Sequence, residues 1–210
     1  MKFSDQLSRH LLQSKAIIID PAKPFTWASG WKSPIYCDNR KTLSYPDVRS
    51  FIQSSLTQLI KDHFDPPDII AGVATGAIAH GALVAERLNK PFIYVRSSAK
   101  DHGTGKMIEG DPGVGKSVVV VEDLISTGGS SLRAVEALRS EGLDVLGMVA
   151  IFTYGFPVAE EGFRKAEVDL YTLGDYENLV SHGIESGYIK KDYLSTLLEW
   201  RKDPGSWMKK

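Results

Sequence analysis

Read for the spacing of apolar and polar residues, the chain divides into an irregular opening and a long alternation of strands and helices. Phe3, Leu7, Leu11 and Leu12 recur at helical intervals, which predicts a short amphipathic helix over 3–14. Ile17-Ile18-Ile19 is a strand candidate, stopped by Asp20-Pro21. Residues 25–40 keep neither period and are rich in aromatics, Ser, Gly and Pro. From Pro46 the pattern turns regular: a helix over 46–63 with Pro46 suited to its first turn, then a strand over 68–73, a helix over 77–88 and a strand over 92–95. A strand over 118–121, a helix over 131–140, a strand over 145–152, a helix over 158–165 and a strand over 168–173 continue the series. Helices over 176–186 and 191–200 close it, and the tail from Trp200 to Lys210 carries no readable pattern. Such alternation predicts an α/β fold, a parallel sheet flanked by helices on both faces. The first 40 residues do not share it. They are expected to form a small amino-terminal hood over the carboxyl edge of the sheet, with 41–210 as the α/β core of one compact domain.

Composition narrows the function classes. A length of 210 residues, 42% hydrophobic and 24% charged, is that of a water-soluble globular domain. The formal net charge of −1 provides no basic field for nucleic acid. Cys37, the one cysteine, has no internal partner for a disulfide, which fits a reducing compartment, and it reads as a small buried apolar residue. The start lacks the apolar core of a signal peptide and no stretch is long enough to span a bilayer, so a cytoplasmic protein without a membrane partner is expected.

The chemistry concentrates in Val118–Ser130. Four valines lead into Glu122-Asp123, then into Leu124-Ile125-Ser126-Thr127-Gly128-Gly129-Ser130, after which the pattern is helical. This is a buried strand, a turn and a helix amino terminus. The two glycines allow backbone N–H groups to approach a ligand, and the helix end favours a phosphate. Two carboxylates at the carboxyl end of a strand suit ribose hydroxyls or a hydrated Mg²⁺. A phosphate cradle beside a hydroxyl or metal clamp points to a sugar phosphate. Just upstream, Gly110–Ser117 spells the pattern of a triphosphate-binding P-loop, but Lys116-Ser117 opens a strand here, whereas a P-loop opens a helix. That reading is rejected.

Three further stretches bear on function. Ala71–Gly81 is a second strand-to-helix turn of small residues, able to meet a pyrophosphate through backbone N–H groups, with His80 expected to be structural. Arg96–Lys106 is a long polar connection carrying Arg96, Lys100, His102 and Lys106 with two glycines. By composition it is equally a solvated surface loop or a lid that brings cations to a leaving group. In Phe25–Tyr36, aromatic faces with Lys32 could hold a flat anionic base, or the aromatics could be simple core.

The run of acids followed by Ser126–Ser130 resembles the phosphoribosyl-pyrophosphate (PRPP) signature of type I phosphoribosyltransferases. Lys100-Asp101-His102-Gly103 after an Arg-bearing strand resembles the mobile catalytic loop of the orotate phosphoribosyltransferases. Phe25-Thr26, Ser29-Gly30 and Lys32-Ser33-Pro34 are similar to the amino-terminal stretch of the same family. Two departures stand out: Gly76 and Ala28 occupy positions where other members carry lysine, while Asp38-Asn39-Arg40 and Leu43–Pro46 match the branch with alanine at position 28. The resemblance implies transfer of the phosphoribosyl group from PRPP to orotate, giving orotidine 5′-monophosphate and pyrophosphate. It implies that Arg96, Lys100 and His102 meet the pyrophosphate and are catalytic. Glu122 and Asp123 would take the ribose hydroxyls. The run Leu124, Ile125, Ser126, Thr127, Gly128, Gly129 and Ser130 would complete the PRPP site, with Thr127–Ser130 on the 5′-phosphate. Ser126, Lys32 and Phe25 would face orotate. Mg²⁺ is implied as cofactor, bound through PRPP and water rather than by a protein cage, and a homodimer in which the loop reaches the partner's site. A phosphoribosyltransferase for another nucleobase, or a PRPP-sensing regulator without catalysis, are the alternatives.

Overall fold

The structure is a computed structural model that describes residues 3–27, 29–98, 107–113 and 116–208. Helix α1 (Phe3–Gln13) is followed by two small antiparallel pairs. In one, β1 (Ile17–Ile19) lies against β4 (Ile35–Cys37); in the other, β2 (Phe25–Thr26) lies against β3 (Lys32–Ser33). A short 3₁₀ helix, Asn39–Ser44, leads into α2 (Pro46–His63). The repeating part contains β5 (Ile69–Val73), α3 (Ile78–Leu88), β6 (Phe92–Val95), β7 (Ile108–Glu109), β8 (Ser117–Ile125) and α4 (Gly129–Ser140). It continues through β9 (Asp144–Thr153), α5 (Pro157–Lys165), β10 (Leu170–Asp175) and α6 (Tyr176–Glu185), and ends at α7 (Leu194–Lys202).

Six strands form one sheet in the order β10-β9-β8-β5-β6-β7, parallel except for the antiparallel edge strand β7. Successive side chains of a strand face opposite sides, and β8 obeys this with a core on each side. Val119 and Val121 join one cluster with Leu7 and Leu11 of α1, Ile52, Leu56 and Ile60 of α2, and Val84 of α3. Val118 and Val120 join the other with Ala134, Val135 and Leu138 of α4 and Ala159 and Phe163 of α5. A strand buried on both faces needs an unbroken apolar run, which is what four valines provide.

Chain order and sheet order part company at one place. From β5 the chain moves outward to β6 on one side, then returns to β8 on the other side of β5 and proceeds to β9 and β10. The loops after β5 and β8 therefore leave in opposite directions, to α3 on one face and α4 on the other. A crevice opens between them, the place where open α/β sheets bind ligands.

Several boundaries differ from the sequence expectation. The strand expected over 118–121 runs on to Ile125, because β9 continues beside it with Leu124 opposite Phe152 and Ile125 opposite Thr153. Glu122 and Asp123 are thus inside the strand rather than beyond it. The helix expected from residue 131 starts at Gly129, since Gly128 takes the left-handed cap conformation and its carbonyl already accepts from the Leu132 N–H at 2.9 Å. The stretch over 25–40 contains three short strands and the start of a 3₁₀ helix, too short to leave a period in the sequence.

The tail is tied down as well. Trp200 is fully buried and its Nε1–H donates to the Lys32 carbonyl at 3.1 Å, while Arg201 donates to the carbonyls of Tyr154 and Gly155. Trp27, Tyr154, Phe156 and Trp200 form an aromatic cluster with centroids 5.0–5.7 Å apart. It joins the end of β9, the amino-terminal pairs and α7. Among the described residues no helix is long and apolar enough to cross a membrane.

Candidate active site

The crevice holds a cleft of about 280 Å³ walled by Val73–Gly76 after β5, by Glu122, Asp123 and Leu124 of β8, and by Ser126, Thr127, Gly128, Ser130 and Ser131 at the start of α4. The period of two along β8 puts one acid on each side. Glu122 lies on the α4 side and is 5% exposed; its Oε2 accepts from Ser131 Oγ at 2.8 Å and its Oε1 from the Asp123 N–H at 2.9 Å. Asp123 lies on the α3 side and is half-buried, with its carboxylate directly over Gly76. A Cβ at Gly76 would collide with all three carboxylate atoms of Asp123. With Asp123 in this position, the two walls approach closely at Gly76.

Burial pushes the Glu122 carboxyl well above the usual carboxylate range, and the neighbouring Asp123 charge adds to this. Asp123 is also raised by burial, with the Arg40 guanidinium opposing the rise. Carboxyls that are costly to ionise when the cleft is dry are receptive to hydroxyl donors or a cation.

The first turn of α4 supplies the opposite charge preference. Helical N–H groups of the first turn lack intrahelical acceptors, and the helix dipole adds positive potential there. Gly128 has φ +79°, and a Cβ on it would also press on the Phe163 ring at 3.1 Å. Thr127, Gly129 and Ser130 are exposed around it. The turn after β5 presents a further short arc of backbone. Ala74 N–H donates to the Val95 carbonyl at 2.8 Å, which anchors that turn to the end of β6, and Arg96 follows immediately. Arg96 sends its own N–H to the Met107 carbonyl at 2.8 Å and its guanidinium toward Glu109 at 3.6 Å.

Of the residues expected from the sequence, the structure brings Glu122, Asp123, Leu124, Ser126, Thr127, Gly128 and Ser130 to one cleft. Ile125 and Gly129 are not on its wall. The Ile125 side chain is fully buried under the sheet and its carbonyl accepts from the Tyr154 N–H, while Gly129 opens α4. Phe25 and Lys32 belong to the β2–β3 pair outside the cleft; the Phe25 ring lies 5.6 Å from that of Tyr36, and Lys32 Nζ donates to Thr26 Oγ1 at 2.8 Å. Lys100 and His102, like Ala28, lie outside the described residues. At the rejected P-loop, Ser117 begins β8 and bonds to the Asp68 carboxylate through both its N–H and Oγ. That places it at the amino edge of the sheet, roughly 17–20 Å along the strand from the acids of the cleft.

The comparisons with known proteins agree with this geometry. Residues 46–169 match the phosphoribosyl transferase domain family. An orotate phosphoribosyltransferase of Bacteroides fragilis is 61% identical over 197 residues, covering 94% of this chain and 93% of that protein. The chain belongs to the orotate phosphoribosyltransferase family. The member from Bacillus subtilis is 52% identical, covering 97% of this chain and 95% of its own. The crystal structure of orotate phosphoribosyltransferase from Aeropyrum pernix, 31% identical, superposes with a TM-score of 0.76 over 87% of this chain and 99% of that one.

Within that family, Gly76 is a departure with a local consequence. The Asp123 carboxylate lies in the space over residue 76, and with glycine there the turn offers backbone contacts alone. One residue of consequence escaped the sequence reading. Asn39 is fully buried, and its Nδ2–H donates to the Asp123 carbonyl. A hydrogen bond of this kind contributes about 1 kcal/mol. The signal available beforehand was a polar Asp-Asn-Arg run set among aromatic and apolar neighbours.

His80 is buried on α3 against the same segment, 3.5 Å from Thr42 Oγ1. Burial drives its imidazole down to about 4, partly offset by a hydrogen bond to the Asn39 carbonyl. A folded-state value below the ordinary 6.5 means that its contribution is full above pH 6.5 and is lost as pH falls toward 4, amounting to about 3 kcal/mol at the low end. Urea denaturation should therefore show stability declining across that window, and His80→Gln should flatten the decline. Equal slopes for both proteins would remove His80 from the acid response.

Proposed function

We propose that this chain transfers the 5-phosphoribosyl group of PRPP to orotate, releasing pyrophosphate and forming orotidine 5′-monophosphate. The observation that carries this is the meeting of the Asp123 carboxylate with the Gly76 turn across the switch point, beside the open first turn of α4. A sugar flanked by two phosphoryl groups needs those three features in that order. Thr127–Ser130 receive the 5′-phosphate, Asp123 and Glu122 the ribose hydroxyls, and the backbone at 74–76 the pyrophosphate. Ser126 lies toward the base, with Phe25 and Lys32 contributing from the amino-terminal segment.

Displacement at the anomeric carbon breaks its bond to the pyrophosphate oxygen and forms a bond to a ring nitrogen of orotate, whose N–H proton passes to the leaving pyrophosphate or to solvent. Positive charge develops on the ribose and negative charge on the leaving group. The protein needs no nucleophile of its own: it positions both substrates, holds carboxylates near the developing positive charge, and brings Arg96, Lys100 and His102 to the pyrophosphate. The hard oxygen atoms of Asp123 on the cleft wall fit Mg²⁺, carried in with PRPP and largely retaining water. Bound there, the ion would screen the pyrophosphate charge. Family resemblance further supports a cytoplasmic homodimer in which the 96–106 segment serves the partner's site.

The direct test follows orotate consumption spectroscopically with PRPP, with and without Mg²⁺. Loss of orotate only when PRPP and Mg²⁺ are both present is the expected result. Turnover of uracil or a purine in place of orotate would overturn the base assignment.

A further inference from the structure

The backbone of Asp123 lies beyond the end of the β5–β8 pairing. β5 pairs with β8 only as far as Gly72 opposite Val121 and ends at Val73, whereas β8 continues to Ile125. At Asp123 two side chains meet the backbone of β8: the N–H donates to Glu122 Oε1 at 2.9 Å, and the carbonyl accepts from Asn39 Nδ2. A side chain from the amino-terminal segment thus reaches β8 at a point that β5 no longer covers.

We infer that Asn39 is a positioning residue, holding the backbone at Asp123 so that its carboxylate stays over Gly76 and in register with the ribose. Asn39 is itself held at every polar atom of its side chain. Cys37 Sγ donates to its Oδ1 at 3.4 Å, which leaves Nδ2 for the carbonyl of Asp123, and its own carbonyl accepts from Thr42 Oγ1 at 2.6 Å. It is completely buried, so water does not stand in for it. The space above Gly76 has no room even for a methyl group. With so little clearance, a small shift of residue 123 moves the carboxylate against the turn or away from the sugar. The role rests on the PRPP reading of the cleft. It also links the segment assigned to the base with the acid assigned to the ribose, two parts of the site 84 residues apart in sequence.

The test measures the PRPP dissociation constant by calorimetry with Mg²⁺, together with Tm and steady-state kinetics, for wild type, Asn39→Ala and Asn39→Asp. The aspartate keeps the shape and removes the donor. Both variants should bind PRPP about tenfold more weakly, with KM for PRPP raised more than kcat is lowered. Ile60→Val, which trims the core at buried Ile60 in α2, serves as a stability control and should bind PRPP as wild type does. Unchanged affinity in the Asn39 variants, or an equal loss in Ile60→Val, would overturn the role. Should neither Asn39 variant be soluble, Thr42→Val decides, because it frees the Asn39 carbonyl without emptying the site: about threefold weaker binding is expected, and none overturns the inference. If wild type itself fails to bind PRPP, it is the reading of the cleft that falls.

Discussion

Gly76→Ala should weaken PRPP binding about a hundredfold, because displacing a site group by an ångström is enough to cost that much. The added methyl group would stand where the Asp123 carboxylate now lies. The backbone of the acid is held by Glu122 on one side and Asn39 on the other, so relief must come from its side chain or from the turn. Either the carboxylate swings out of the cleft or the turn after β5 backs away, and both separate the ribose end of the site from the pyrophosphate end. Calorimetry with PRPP and Mg²⁺ measures the loss, and near-UV circular dichroism confirms that the fold survives. Asp123→Asn, which keeps the volume and removes the charge, is the companion: a loss nearer tenfold separates what the charge contributes from what the placement contributes. Wild-type affinity in Gly76→Ala would mean that the cleft between β5 and β8 is not where PRPP lies.

The second large effect belongs to Lys100. Its proposed partner is the departing pyrophosphate, whose negative charge grows in the transition state, so the loss should fall on turnover rather than on ground-state binding or stability. Removing one such stabilising donor costs about a hundred- to a thousandfold in kcat. Lys100→Ala should show that drop with orotate and PRPP saturating, while Tm moves little. An unchanged kcat would take Lys100 out of the mechanism. In a homodimer that exchanges the segment, mixing Lys100→Ala chains with chains carrying Asp123→Asn should restore activity to one of the two sites in every hybrid, since that site carries neither substitution.

These expectations draw on parts of the molecule that differ in how visible they were before the fold was known. The valine run, the acids and the glycine-hydroxyl turn were legible because each is local: strand burial, backbone freedom and a helix end all leave marks within a few residues. The alternation of elements from Pro46 onward was legible for the same reason. Less visible was how far β8 extends, since Leu124 and Ile125 are held in the strand by β9 rather than by any preference of their own. The C-terminal tail gave no sign of its use, yet Trp200 packs completely among Trp27, Tyr154 and Phe156.

By itself, the order of residues determined the α/β class, the signature at 122–130, the resemblance to orotate phosphoribosyltransferases and the absence of a genuine P-loop. Tertiary structure alone decided that β8 lies beside β5, so that two turns nearly fifty residues apart face one another. It also gave two adjacent acids different surroundings, burying Glu122 against Ser131 and setting Asp123 over Gly76. Finally, it brought Asn39 to the Asp123 carbonyl. Periodicity records which face of an element is buried, whereas strand order, close approach and a donor arriving from a distant segment depend on how the elements pack, which leaves no local mark.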